Sequence, residues 1–186
     1  PPANAVNFEL IAALLQAINA LSAEESSPGI VLTGSGDRFF SAGGDLKEVV
    51  GIEIAAPRIK VFHALLCAME SYPAPIVCAV RGYAVGGALE FLLFADYVVA
   101  NPESKIGFPE INHGLLPATK GMRQAVRKLG IREARGLLFW GDLVDARKAT
   151  DIGAIDEIVP TADVMGRAVE VCRFLCGKDR KLFAAI

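Results

Sequence analysis

The run "PIVCAVRGYAVGGALEFLLFA", residues 75–95, carries only two charged side chains, Arg81 and Glu90. Its first part, "IVCAV", is a short apolar run ended by Arg81-Gly82, the pattern of a buried strand. Gly86 and Gly87 then open a second apolar run, "GALEFLLFA", that reads as a helix. A buried strand, a glycine turn and a helix in succession form the building unit of an α/β fold. Within that unit Glu90 stands three residues past Gly87. A buried carboxylate is costly unless it is hydrogen-bonded, paired or neutralised, so this acid calls for a use.

The unit has an echo upstream. "IVLTGSGDRFFSAGGDL" (30–46) also runs from strand through a glycine-containing turn to Gly-Gly-x-Leu, with Gly43-Gly44 in place of Gly86-Gly87. The echo suggests a repeated strand–turn–helix unit. Around it, "NFELIAALLQAINALSA" (7–23) has helical spacing, with Asn7 as N-cap. The segment "SGDRFFSAGGDLKEVV" (35–50) reads as a loop leading into a helix. "PRIKVFHALLCAMESY" (57–72) reads as an amphipathic helix stopped by Pro73 and Pro75. "DYVVA" (96–100), "SKIGF" (104–108) and "AIDEIVP" (154–160) read as strands. "TKGMRQAVRKLG" (119–130) and "IREARGLLFWG" (131–141) read as helices ended by Gly130 and Gly141. "DARKATDIG" (145–153) and "ADVMGRAVEVCRFLCG" (162–177) complete the helices, and Trp140 and "EFLLFA" are assigned to the core. Strands alternating with helices predict an α/β fold with much parallel pairing.

Composition sets outer bounds. The 186 residues are 53% hydrophobic and 22% charged, enough apolar content for a substantial core and unlike a disordered chain. A net charge of −2 argues against nucleic acid, whose binders show a basic face. It leaves room for a local basic pocket that takes a phosphorylated small molecule. The four cysteines include no C-x-x-C pair, and Cys172 and Cys176, four apart on a helix, read as packing residues. His63 and His113 have no companions at ligand spacing, so no metal site is expected. No apolar run spans a membrane without interruption and no signal peptide is visible. A cytoplasmic protein is expected, with the mitochondrial matrix left open because the chain opens abruptly on "PPANAVN".

The glycine pairs carry the chemistry. At a helix start the first amide N–H groups lack helical acceptors and are backed by the positive end of the helix dipole. Two facing turns, each donating one N–H, would hold a single carbonyl oxygen as it becomes negative, which is an oxyanion hole. For one pair alone the ordinary reading is a tight turn; the recurrence and two acids favour chemistry. Glu90 could be no more than an acid near a helix N-terminus. A second acid, Glu110, follows Pro109 in "GFPEINHGLLP", read as an extended segment. Two glutamates in apolar surroundings, raised in pKa by burial, suit general acid–base work beside an enolate.

Four stretches, "SAGGDLKE" (41–48), "GYAVGGALE" (82–90), "ADYVVANPESKIGFPEINHGLLP" (95–117) and "GDLVDARKATDIGAIDEIVP" (141–160), resemble in order and spacing the crotonase superfamily of enoyl-CoA hydratases and isomerases. The resemblance covers nearly the whole chain. It implies an α/β spiral of strand–strand–helix units over residues 1–160, followed over 161–186 by the start of a C-terminal helical region that is cut short. It also implies an acyl-CoA thioester substrate, a homotrimer or dimer of trimers, and no cofactor beyond the coenzyme A of the substrate. Gly44 and Gly87 would supply the oxyanion-hole N–H groups. Glu90 would activate water for attack at the β-carbon, and Glu110 would deliver a proton to the α-carbon, giving a 3-hydroxyacyl-CoA. Ala42, Asp45, Leu46, Lys47, Gly86, Phe108, His113 and Thr119 fall where substrate contacts are expected.

Individual residues have plainer readings too. Asp45 reads as a helix cap sooner than a catalyst, and Phe108 as pocket wall or core packing in equal measure. Lys47 and Arg81 are candidates for the CoA nucleotide, with a solvated surface charge preferred for Arg81. His113 is either an extra polar group in the acyl pocket or, the preferred reading, a partly exposed strand-end residue. After "HGLLP" the chain has "ATKGMRQAV", with Ala118, Thr119, Lys120 and Met122, where relatives carry a glycine-rich stretch; a branched-chain or methylglutaconyl-type substrate is compatible with that change. The rival enzyme is a Δ3,Δ2-enoyl-CoA isomerase, which needs the same oxyanion hole but one acid–base. A silent CoA-binding or scaffold member of the fold is the rival from another class. A dinucleotide-binding domain ranks low, because "GSGDRFFSAGG" offers G-x-G without G-x-G-x-x-G.

Overall fold

The computed structural model describes residues 2–48, 52–117 and 119–186. Two four-stranded sheets share the chain. In the first, β1 (Ile30–Thr33), β3 (Ile76–Val80), β5 (Tyr97–Ala100) and β8 (Glu157–Ile158) lie in the order β1-β3-β5-β8, all parallel. In the second, β2 (Phe39–Ser41), β4 (Tyr83–Val85) and β6 (Lys105–Gly107) run parallel, and β7 (Val144–Asp145) closes the edge antiparallel to β6. The chain therefore gives one strand to each sheet, moves on by a helical segment, and repeats. The sequence echo has a direct physical meaning: Ile30 and Val31 pair with Ile76 and Val77 in adjacent strands.

Helices fill the spaces between passes. α1 (Phe8–Ser22) is capped by Asn7, whose side chain accepts the Leu10 N–H at 2.9 Å. α2 (Ile52–Glu70) packs against it. α2 starts before Pro57, the residue at which the sequence placed the helix start, so Pro57 lies inside the helix. α3 (Gly87–Phe94) buries every residue from Ala88 to Phe94, as befits a helix apolar all round. α4 (Gly121–Trp140) is two helices joined at Gly130, whose φ of 80° and ψ of 159° leave the helical region. The expected stops at Gly130 and Gly141 are both present, the latter as a left-handed cap. α5 (Ala146–Asp151), α6 (Val164–Cys176) and α7 (Arg180–Ala185) complete the set.

The alternation of side chains along the first sheet divides the core. Cys78, Val80, Val98 and Ala100 face the main cluster with α2 and α3. Val77, Ala79 and Val99 face a second cluster with Val164, Ala168 and Val171 of α6. Burial on both faces explains why these strands read as continuous apolar runs.

Several expectations need correction. The segment 35–50 is not only a loop, because it holds β2, and the "GYAV" turn holds β4. Both are three-residue strands among glycines, too short to show a period of two. Glu110 is not on an extended segment, and His113 is not at a strand end; both lie on a 3-10 turn, Pro109–His113. Proline fixes φ near the helical value and favours a helical first position, and a Gly114 left-handed cap ends the turn. Trp140, assigned to the core, is 77% exposed, because it falls on the last residue of α4. Among the described residues no helix is long and apolar enough to cross a membrane.

Candidate active site

The small sheet brings the site together by register. Ser41 of β2 pairs with Ala84 of β4, and Val85 of β4 pairs with Gly107 of β6. Three residues past Ser41 and Ala84 stand Gly44 and Gly87, and three past Gly107 stands Glu110. Parallel pairing thus carries both glycine turns and the second acid to one end of three neighbouring strands, the end where ligands bind in parallel sheets. The turns touch: a Cβ on Gly43 would lie 2.5 Å from the Val85 carbonyl oxygen and 3.7 Å from Gly86 Cα.

The two N–H groups are left available for different reasons. Val6 N–H donates to the Gly43 carbonyl at 2.7 Å, and Asp45 N–H donates to the Val6 carbonyl at 3.3 Å. These bonds make a parallel bridge between Val6 and Gly44. In such a bridge the central residue turns its own N–H away from the partner, and Gly44 lines the cavity. Gly87 is the first residue of α3, so its N–H has no helical acceptor. Gly86 before it has φ 57° and ψ −122°, a conformation that side chains rarely adopt.

A cavity of about 460 Å³ opens at this end, lined by both glycine pairs, Glu90, Glu110, Thr119 and His113 among others. Its size suits a small-molecule site. Glu90, in the first turn of α3, is 2% exposed. Thr119 Oγ1 donates to its Oε2 at 2.6 Å, and the N–H groups of Lys120 and Gly121 at the start of α4 act on it in the same direction. Burial outweighs these donors and pushes the carboxyl up to about 7, with the facing Glu110 adding to the rise. Glu110 is pushed up by burial as well. Its Oε2 is buried with no hydrogen-bond partner among the described residues, and Oε1 lies 2.6 Å from where a Gly86 Cβ would stand. A carboxyl raised to about 7 beside a second one raised by burial suits taking and giving protons.

The other expected contacts divide. Ala42, Gly86, His113 and Thr119 line the cavity, with His113 exposed on its turn. Thr119 engages Glu90. Phe108 is buried in the core and does not reach the cavity. Asp45 accepts the Lys47 N–H at 3.0 Å, capping the 3-10 turn Leu46–Glu48, and Lys47 is exposed. Arg81, partly buried, pairs with the exposed Asp37 at 2.6 Å and is not among the residues lining the cavity. The Leu46 side chain and Ala118 lie outside what is described.

Among the lining residues that escaped the sequence reading, one is charged. Arg58 of α2 is 7% exposed and lines the cavity. A signal was present: at helical spacing Arg58 shares the face of Phe62, Leu65 and Met69, all of them core residues, and a charge on that face is anomalous.

Comparisons with known proteins cover the whole chain. A family model described as enoyl-CoA hydratase/isomerase matches residues 1–186. A Mycobacterium tuberculosis protein named probable enoyl-CoA hydratase EchA17 is 34% identical over 188 residues, covering 100% of this chain and 72% of its own length. A 2,3-dehydroadipyl-CoA hydratase from Escherichia coli is 31% identical over 158 residues, covering 85% of this chain and 62% of its own. The crystal structure of an enoyl-CoA hydratase from Bacillus anthracis superposes with a TM-score of 0.92 at 25% identity, over 98% of this chain and 71% of that one. Pseudomonas aeruginosa DspI gives 0.94 at 27% identity, over 100% and 77%.

Proposed function

The chain belongs to the enoyl-CoA hydratase/isomerase family, and from that premise we propose that it hydrates a 2-enoyl-CoA to a 3-hydroxyacyl-CoA. The observation that carries this is a pair of glutamates with raised pKa values, Glu90 and Glu110, lining one cavity with Gly44 and Gly87. The thioester oxygen accepts the Gly44 and Gly87 N–H groups. Water attacks the β-carbon while ionised Glu90 takes its proton. The double-bond electrons move toward the thioester oxygen, giving an enolate that the two N–H groups stabilise. The enolate then takes a proton at the α-carbon from Glu110; the proton that Glu90 took from water passes back to Glu110 before the next turnover, and the net change is addition of H and OH. Water is a weak nucleophile and needs the first acid; the enolate needs the donors before the second acid can act. Loss of one such donor costs about 2.7–4 kcal/mol in other enzymes.

Two acids at one cavity favour hydration over double-bond isomerisation, which needs one. The names of the relatives from M. tuberculosis and E. coli point the same way. The test is loss of the conjugated thioester absorbance of crotonyl-CoA. Hydration by the wild type that falls by about 10²-fold or more in Glu90→Gln and Glu110→Gln supports the reading. Conversion of a 3-enoyl-CoA with no hydration of crotonyl-CoA would assign the site to the isomerase instead.

A further inference from the structure

Arg58 is a buried guanidinium that the mechanism above does not use. Its Nη2 donates to the Val6 carbonyl at 2.7 Å. That same carbonyl accepts the Asp45 N–H, so Arg58 joins the bridge that fixes Gly44. The contact with Gly44 is close: a Cβ there would stand 2.9 Å from Nη2. Three acids surround the charge. Glu48 Oε2 is 3.7 Å from Nε, and Asp45 and Glu90 also act on it electrostatically. Nε itself has no hydrogen-bond partner among the described residues, and Phe62 lies under the guanidinium at 6.0 Å. An arginine held this way costs desolvation, which surface packing alone does not explain.

We infer that Arg58 is a positioning residue for the oxyanion hole: its guanidinium grips the Val6–Gly44 bridge, keeps the Gly44 N–H aimed into the cavity, and sets a positive charge beside the oxygen that becomes an enolate. This rests on the enoyl-CoA reading. Glycine at 44 belongs to the same device, because any side chain there would displace the guanidinium. The planar fork bonds the carbonyl and spreads its charge across the bridge, and a lysine ammonium reproduces only the charge.

Two measurements test it on the intact protein. Acetoacetyl-CoA forms an enolate whose absorbance reads the oxyanion hole without turnover, and crotonyl-CoA hydration reads kcat and KM. Arg58→Gln is expected to lower kcat by about tenfold or more with KM within about twofold, and to raise the pKa of bound acetoacetyl-CoA by about one unit. Arg58→Lys is expected to keep most of the enolate shift while losing several-fold in kcat. A folded Arg58→Gln with wild-type kcat and an unmoved enolate band overturns the inference. Should that variant fail to fold, Arg58→Lys decides: wild-type kcat overturns it, and a loss confined to kcat supports it. A wild type that binds acetoacetyl-CoA with no enolate band refutes the enoyl-CoA reading itself, whereas a band present in the wild type and unchanged in both variants refutes only the role of Arg58.

Discussion

Glu90 accepts from the Thr119 hydroxyl and faces two backbone N–H groups, while one oxygen of Glu110 has no hydrogen-bond partner among the described residues. In the proposed reaction Glu90 is the group that must lose its proton before it can activate water. Folded, it keeps its proton up to about 7; its ordinary value is 4.5. Between those pH values the folded chain binds more protons than the unfolded one, so stability falls as pH rises through this window. The full loss, above pH 7, is about 3 kcal/mol. Glu90→Gln removes this part, so the gap between urea midpoints measured at pH 5 and pH 8 is expected to be smaller in the variant than in the wild type, with the remainder left to groups such as Glu110. Thr119→Val takes away a donor that lowers the carboxyl pKa. The acidic limb of its kcat/KM profile is expected to move up by about one unit, and an unmoved limb would deny Thr119 this role. Glu90 was legible from its offset to Gly87, and Glu110 from its place after Pro109 in an apolar stretch and from the family resemblance. Arg58 was not singled out, since a single charge in a helix looks like surface until its face is compared with the core.

The start of α4 is where helix and acid meet. Gly121 has room for no side chain: a Cβ would fall 2.6 Å from Glu90 Cδ. Gly→Ala inside a helix ordinarily gains about 1 kcal/mol. Gly121→Ala is expected to forfeit that gain and to lose about tenfold or more in kcat, because the carboxyl must move. Thermal unfolding beside crotonyl-CoA kinetics checks both halves; a stabilised and fully active variant would contradict the close contact. α1, by its helical spacing, and the strands of the first sheet, as short continuous apolar runs, were readable from sequence. β2 and β4 were hidden because their order comes from pairing with neighbours, not from local pattern. The 3-10 turn bearing Glu110 was misread as extended because Pro109 signals a break more strongly than it signals the turn that follows.

Across the whole molecule, acids lace successive passes of the spiral. Asp96, just before β5, accepts the N–H of Ile76 at the start of β3 at 2.7 Å. Asp156, just before β8, accepts the N–H of Val98 in β5 at 2.8 Å. Asp156→Ala leaves a strand N–H without its acceptor, so a loss of about 1–3 kcal/mol in urea unfolding is expected, with kcat little changed because Asp156 is not among the residues lining the cavity. The α/β class and the repeat were visible in the alternation and the echo. The division into two sheets was not, since no local feature tells a strand which of two partners it will join. The bridge of Val6 to Gly44 belongs to this long-range order. It joins segments separated by a helix and two strands, and such contacts form after local ones. A chain returning from denaturant should therefore regain its circular-dichroism helix signal before its turnover, and the delay between the two is a clock for the closing of one donor arm.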